Sequence, residues 1–208
     1  MKTHRTIYHI IVDKSGSMSS CIGDTISGFN DQLKRIQGME KEFPDQEILV
    51  GLSLFNDEVS HVKIVQPVST MSALNEQNYL PLGCTALLDA IGKTAVLLEE
   101  YEGNLSSIPT TFVVVILTDG HENSSESYNL KQVRELIQRL EATGKWTFSF
   151  IGATLDAVDV AEQMAIKAQN SFHFEKSNMK EAVWDKLSTS MRGYFSKKEK
   201  GETPSDLF

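Results

Sequence analysis

Five residues in three separate segments carry oxygen atoms of the kind that bind hard metal ions. The first segment contributes Asp13, Ser15 and Ser17, the second contributes Thr85, and the third contributes Asp119. Two carboxylates can neutralise a divalent cation, while hydroxyls are weak donors that leave it electrophilic. These residue types favour Mg²⁺, or the similar Mn²⁺, over a softer metal.

Each segment adjoins an element that is predicted to position it. The apolar run 7–12 is typical of a strand buried on both faces, and it ends at Asp13. The run 111–117 has the same character and leads to Asp119. Thr85 belongs to the segment Gly83-Cys84-Thr85, which is expected to open a helix that continues to about residue 101. Strands and a helix start are therefore expected to present the oxygen donors.

Apolar periodicity predicts the remaining elements. Residues 47–55 and 59–65 are β-prone runs separated by a short polar turn, which is typical of an antiparallel hairpin. Two further strands are expected at residues 146–151 and 171–174. Spacings of three and four predict helices over residues 22–36, 130–140, 155–168 and 178–195.

Two local signals predict helix boundaries. Gly38 follows the last apolar residue of the first helical stripe, so it is expected to end that helix. Asn178 is followed three residues later by Glu181, which is the pattern of a capping box at the start of the last helix.

The element order β-α-β-β-α-β-α-β-α-β-α indicates an α/β fold. We expect a doubly wound, mostly parallel six-stranded sheet with one antiparallel edge strand and helices on both faces. The carboxyl ends of parallel strands share one edge of such a sheet, so the five oxygen-bearing residues are expected to meet there. Residues 1–196 are predicted to form one domain, and the polar residues 197–208 a flexible tail.

Composition and charge exclude several classes of partner. The chain has 208 residues, of which 40% are hydrophobic and 23% charged, as in a soluble globular domain. A net charge of −8 argues against nucleic acid and anionic membranes as partners. No apolar run approaches the roughly 18 residues of a membrane span, and no secretory signal pattern is seen. We therefore expect a cytoplasmic protein.

The two cysteines, Cys21 and Cys84, are too few for a disulfide framework. In a cytoplasmic protein they are expected to be free thiols. Both lie beside the predicted ligand segments, which leaves a redox role open.

Together, the three segments resemble the motif of von Willebrand factor type A domains that carry a metal-ion-dependent adhesion site. The D-x-S-x-S motif of that family matches Asp13, Ser15 and Ser17. Its distant threonine matches Thr85, and its T-D-G matches residues 118–120. The resemblance extends over nearly the whole chain and is greatest to intracellular bacterial members.

This resemblance implies a fold and a function. The fold is the doubly wound sheet with one antiparallel edge strand. The function is that of a protein-binding module without enzymatic activity, in which the five matching residues hold Mg²⁺ or Mn²⁺. An Asp or Glu of a partner protein then completes the coordination of the metal.

An enzyme and a purely structural domain with a vacant site are the alternatives. In the first, Asp13 is the nucleophile of a Mg²⁺-dependent phosphoryl-transfer hydrolase. Aspartate-nucleophile phosphatases of the haloacid-dehalogenase type resemble this opening, but they carry a second aspartate where this chain has Ser15. A hydroxyl is a poor general acid at neutral pH, and neither Ser-His-Asp spacing nor a G-x-S-x-G motif is apparent.

Three neighbouring polar residues have two interpretations each. Asp89 lies one helical turn after Thr85, where it either supports a ligand or interacts with the helix start. His121 and Glu122 either line the rim of the site or belong to a solvated loop, and we expect the loop.

Overall fold

A six-stranded sheet with helices on both faces makes up the fold. The computed structural model describes residues 2–103, 105 and 108–208. The strands are β1 His4–Asp13, β2 Gln46–Phe55, β3 Val59–Pro67, β4 Thr110–Thr118, β5 Trp146–Gly152 and β6 Ser171–His173. The α-helices are α1 Ile22–Glu42, α2 Leu87–Glu102, α3 Leu130–Glu141, α4 Ala157–Gln163 and α5 Lys186–Glu199, with a π-helical turn Lys180–Asp185 before α5. None of the helices in these described ranges is long and apolar enough to cross a membrane.

The strand order is β3-β2-β1-β4-β5-β6, and every pair is parallel except β2 and β3. This confirms the predicted fold class, including the antiparallel edge. The order reverses at β1, so the carboxyl ends of β1 and β4 lie side by side. Val12 pairs with Leu117 in the register, which places Asp13 beside Thr118 at the edge of the sheet.

Alternate residues of β1 face two separate hydrophobic clusters. Ile10 and Val12 pack in the cluster that contains α1 and α5, and Ile7 and Ile11 pack in the one that contains α2 and α3. Residues 112–117 of β4 are fully buried. A strand covered on both faces needs continuous apolar side chains, which explains the two runs in the sequence. This packing fixes the carboxyl ends of β1 and β4, which the polar segments follow.

The prediction that Gly38 ends the first helix is wrong. Helix α1 continues to Glu42, and the amide of Phe43 donates to the carbonyl of Met39 at 2.8 Å. Met39 is buried in the core, so its packing favours continuation of the helix past the glycine. The helix ends where Phe43 precedes Pro44, because a residue before proline disfavours helical conformation.

Two boundaries in the carboxyl-terminal half also differ from prediction. Helix α4 is shorter than the predicted 155–168, because the chain turns at Ala165, whose φ is +66°. Within the described residues Asn178 forms no capping box, and the last helix begins with the π-helical turn. A capping box starts α3 instead, where the side chain of Asn129 accepts from the amide of Gln132.

The last residues contact the domain. The division into a domain of residues 1–196 and a flexible tail stays a prediction, but Leu207 is buried and its amide donates to Oδ1 of Asn170 at 2.8 Å. The ring of Phe208 packs edge-on against Phe172, with centroids 4.9 Å apart. Such contacts tie a chain terminus to the domain and differ from those expected of a mobile tail.

Candidate functional site

The three polar segments converge at the carboxyl edge of the sheet. The amide of Gly16 donates to the carbonyl of Gly83 at 3.0 Å, which joins the first segment to the second. The hydroxyl of Ser17 donates to Oδ1 of Asp119 at 2.5 Å, which joins the first segment to the third. The structure therefore brings the five predicted residues together at one edge, as the doubly wound topology requires.

Asp13 is the most deeply buried of the five residues and lies at the bottom of this site. The residue has no exposed surface, and its Oδ1 accepts from the amide of Ser15 at 2.6 Å. Its Oδ2 accepts from the hydroxyl of Thr118 at 2.6 Å, and its carbonyl accepts from the hydroxyl of Tyr79 at 2.6 Å. Burial raises the pKa of Asp13 to about 6, although the hydrogen bonds from Thr118 and Ser15 oppose this shift.

Ser15, Ser17 and Asp119 form a row in which Ser17, the exposed residue, stands between two buried ones. The hydroxyls of Ser15 and Ser17 lie 3.2 Å apart, and Ser17 is exposed. The side chain of Asp119 is fully buried. Its Oδ2 forms an ion pair with the ammonium group of Lys176, which also donates to the carbonyl of Ser17 at 3.1 Å.

Thr85 reaches the same place from the start of α2. A Cβ atom built on Gly120 would lie 3.4 Å from Oγ1 of Thr85 and 3.6 Å from Oγ of Ser17, so both hydroxyls face this glycine. Asn123 braces Thr85 from the loop after β4. Its Oδ1 accepts from the amide of Thr85 at 2.8 Å, and its amide donates to the carbonyl of Thr85 at 3.1 Å.

Glu122 organises the loop that follows Asp119. Its carboxylate accepts from the amides of Ser125 at 2.7 Å and Leu88 at 2.9 Å, and also from the hydroxyl of Ser125 at 2.7 Å. It is half-buried, which differs from the solvated position that we expected. His121, in contrast, is exposed as predicted. The contacts of Glu122 tie the loop to the first turn of α2, where an acidic group is favoured.

Asp89 supports this loop from α2. Its Oδ1 accepts from the amides of Ser127 at 2.9 Å and Tyr128 at 2.8 Å, and its Oδ2 pairs with Lys93 at 2.9 Å. Burial opposes ionisation, but Lys93 and the two amides outweigh it and lower the pKa of Asp89. Asp89 therefore positions the loop, and the contacts found for its carboxylate are not to Thr85.

Lys176 is a charged contact of the site that sequence reasoning missed. It lies in a 3₁₀ turn, Lys176–Asn178, which begins after two residues that follow β6. No motif marks it, and it is 159 positions away from Ser17. The only signal was its place just past the carboxyl end of a predicted parallel strand.

The two cysteines are free, as predicted. Cys21 is buried, and its thiol lies 3.4 Å from the carbonyl of Met18. Cys84 is exposed and its amide donates to Oδ2 of Asp57 at 3.1 Å. A side-chain hydrogen bond with Asp57 and the negative charge of its carboxylate raise the pKa of the Cys84 thiol.

Two observations indicate that this arrangement of side chains suits a hard divalent cation. The carboxylate of Asp119 already holds a cation, the ammonium group of Lys176. Gly120 also leaves open the space between two hydroxyls that a Cβ atom would fill. No group of three or more His, Cys, Asp or Glu side chains that could hold a metal comes together in the described part of the chain, so a cation here would also need the serine and threonine hydroxyls.

The fold and this edge define an α/β domain in which parallel strands present oxygen donors to the surface. The model of the von Willebrand factor type A domain family matches residues 9–188. The chain therefore belongs to the von Willebrand factor type A domain family. This confirms the family that the motifs resembled. No curated protein sequence matches the chain significantly.

Solved structures of low sequence identity share the fold. The PilB minor pilin from Streptococcus sanguinis is 10% identical with a TM-score of 0.65, and the match covers 92% of this chain but only 62% of that one. The vWF domain of the type V pili tip protein Mfa5 from Porphyromonas gingivalis is 8% identical with a TM-score of 0.63, over 94% and 97% of the two chains. The manganese-loaded TRAP protein from Plasmodium vivax is 13% identical with a TM-score of 0.58, over 88% and 73%. This chain thus spans less than two thirds of the length of the PilB pilin.

Proposed function

We propose that this domain binds Mg²⁺ or Mn²⁺ at the carboxyl edge of the sheet and uses the metal to capture an acidic residue of another protein. The observation that carries the proposal is the row formed by Ser15, Ser17 and Asp119. Its members come from two distant segments, and Ser17, the middle member, is an exposed residue whose hydroxyl contacts both of the others. A cation held by this row is within reach of a partner.

The chemistry of the donors supports binding rather than turnover. Asp13, Ser15, Ser17, Thr85 and Asp119 would hold the ion, with the two carboxylates offsetting its charge. A bound divalent cation supplies a Lewis acid that accepts a carboxylate oxygen from outside the domain. The buried residues Asp13 and Thr118 keep the strand ends in register beneath it.

The surface around the edge supports a protein as the partner. Large hydrophobic side chains that are exposed among the described residues are Val62, Leu80, Leu82, Leu130 and Leu155. All but Val62 lie in segments at or beside the carboxyl edge. Leu82 is 73% exposed just before the Gly83 loop, and Leu155 is 91% exposed just after β5. Exposed apolar side chains in the segments around a polar site favour a protein as the partner.

A cavity beside the site adds to this surface. Its volume is about 210 Å³, and it is lined by apolar side chains that include Leu88 and Leu130, with Glu122 at its edge. We expect the partner to place an apolar side chain near its acidic residue, so that both parts of the surface are used.

The enzyme alternative fits the geometry less well. A nucleophilic carboxylate needs a free oxygen that the substrate can reach. Asp13 has no exposed surface, so a phosphoryl substrate, which is much larger than a metal ion, cannot reach its carboxylate. We therefore retain the prediction of a non-enzymatic domain.

Calorimetric titration with MgCl₂ tests metal binding. Ser17→Ala removes a hydroxyl of the row, and we expect Mg²⁺ binding to weaken by at least about tenfold. Ser72→Ala removes an exposed hydroxyl outside the three ligand segments and is the matched control, with unchanged affinity. Equal binding by the wild type and Ser17→Ala, or no binding by either, would overturn the proposal.

Partner capture and catalysis need separate assays. Proteins retained on the immobilised domain with Mg²⁺ and released by EDTA are candidate partners, and an Asp-to-Asn or Glu-to-Gln change in such a partner should abolish retention. Hydrolysis of p-nitrophenyl phosphate that Asp13→Asn abolishes would establish the enzyme instead. A vacant structural domain would show neither metal binding nor EDTA-sensitive capture.

The cytoplasmic location and bacterial origin expected from the sequence stay predictions. The similar structures include a minor pilin and a pilus tip protein, so the family does not restrict the location. Fractionation of the native cells with an antibody to the domain would decide it.

A further inference from the structure

We propose that Lys176 is an internal cation that competes with the divalent metal for Asp119. This inference rests on the proposed function, because it describes how that metal site is regulated. The ammonium group of Lys176 touches both a predicted metal ligand, through Oδ2 of Asp119, and the carbonyl of a second one, Ser17. No other lysine or arginine among the described residues forms an ion pair with Asp119.

The need for such a cation follows from the burial of Asp119. Its side chain is fully buried, and its Oδ1 accepts from the hydroxyl of Ser17. Oδ2 is also buried and has no other hydrogen-bond donor in the described part of the chain. An isolated buried carboxylate oxygen is costly, so the metal-free domain requires a positive charge at this position.

A metal ion and Lys176 cannot both satisfy this carboxylate well. A divalent cation at the row would repel an ammonium group a few ångströms away, and the two would share one buried negative charge. The side chain of Lys176 is 35% exposed, so its charged end can move into solvent. Metal binding is therefore coupled to breaking the contact between Lys176 and Asp119.

The position of Lys176 gives this exchange a structural consequence. The turn Lys176–Asn178 connects β6 to the last helix. Its contact with the carbonyl of Ser17 holds that turn against the first ligand segment. When the metal takes Asp119, the ion pair that fixes this connection is lost.

Calorimetry with MgCl₂ on four proteins tests the competition. Lys176→Met keeps the length of the side chain but removes its charge, and we expect Mg²⁺ affinity to rise by at least about fivefold. Lys176→Arg keeps the charge and should bind as the wild type does. Lys131→Met makes the same change in net charge at a lysine that is 82% exposed on α3, and should leave the affinity unchanged. Unchanged or weaker binding by Lys176→Met would overturn the inference.

A second measurement separates this inference from the proposed function. In EDTA, Lys176→Met should unfold at a lower temperature than Lys131→Met, because Asp119 has lost its counter-ion; saturating Mg²⁺ should remove the difference. Equal melting temperatures in EDTA would overturn the role of Lys176 even if Mg²⁺ binds. Absence of Mg²⁺ binding by all four proteins would instead overturn the proposed function, and the competition with it.

Discussion

The hydroxyl of Thr118 donates a hydrogen bond of 2.6 Å to Oδ2 of Asp13, which lies 105 positions earlier in the chain. Asp13 is fully buried, and its Oδ1 is already used by the amide of Ser15. Thr118 therefore satisfies the second oxygen of a carboxylate that has no access to water. This hydrogen bond joins the carboxyl ends of β1 and β4 beneath the candidate site.

Thr118→Val should destabilise the domain, because it preserves the shape of the side chain but leaves a buried carboxylate oxygen unsatisfied. We expect the free energy of unfolding to fall by about 1–3 kcal/mol. Urea denaturation measures the change. Thr147→Val, the same change at a buried threonine on β5, is the control and should cost less. Equal losses in the two variants would mean that the contact with Asp13 contributes nothing specific.

Glu122→Ala should loosen the loop after Asp119 without unfolding the domain. The carboxylate of Glu122 holds the amides of Ser125 and Leu88, which would lose their acceptor. Hydrogen exchange read by mass spectrometry should show faster exchange at these amides. Glu126→Ala removes an exposed carboxylate of the same loop and should leave exchange unchanged. Identical exchange in Glu122→Ala and the wild type would contradict the bracing role.

Gly28→Ala and Gly38→Ala should change stability in opposite directions, although both lie in α1. A Cβ atom on Gly28 would lie 2.0 Å from Cδ1 of the buried Trp184, so overpacking should cost about 1–3 kcal/mol. A Cβ atom on the exposed Gly38 meets nothing within 4 Å. Alanine there should add up to about 1 kcal/mol through helix propensity. Thermal melts of both variants decide this, and a stabilised Gly28→Ala would refute the close packing of α1 against Trp184.

His9 should make the domain less stable in acid. Burial lowers its pKa to about 3, although its hydrogen bond to the Ile64 carbonyl opposes the shift. The unfolded chain gains a proton on this residue near pH 6.5 while the folded domain does not, so stability falls as the pH drops from about 6.5 towards 3. At pH 5 this loss should amount to about 2 kcal/mol relative to pH 7.

Urea denaturation at pH 7 and pH 5 measures the effect of His9. The decrease in the free energy of unfolding from pH 7 to pH 5 should be smaller in His9→Gln than in the wild type, by about 2 kcal/mol. His173→Gln changes an exposed imidazole on β6 and serves as the control. If His9→Gln keeps the full wild-type difference, the acid sensitivity arises elsewhere.

Local patterns in the sequence were enough to predict the sheet. The runs that form β1 and β4 are continuously apolar because both faces of the sheet are covered. A run of this kind can be recognised in the sequence residue by residue. Two of the polar segments follow these strands and the third stands at the start of a helix. The doubly wound topology therefore predicts that all three segments lie at the same edge of the sheet. Helix ends were less predictable, because the buried Met39 outweighs the propensity of Gly38.

The sequence by itself was enough for the fold class, the family and the choice of five candidate oxygen donors, because strand burial and motif spacing are recorded along the chain. Only the tertiary structure decided which side chains support those donors. Glu122 braces a loop through backbone amides, and Lys176 reaches Asp119 from beyond the last strand. Neither contact has a sequence signature, because a long charged side chain can pair with any group that the folded chain brings near it.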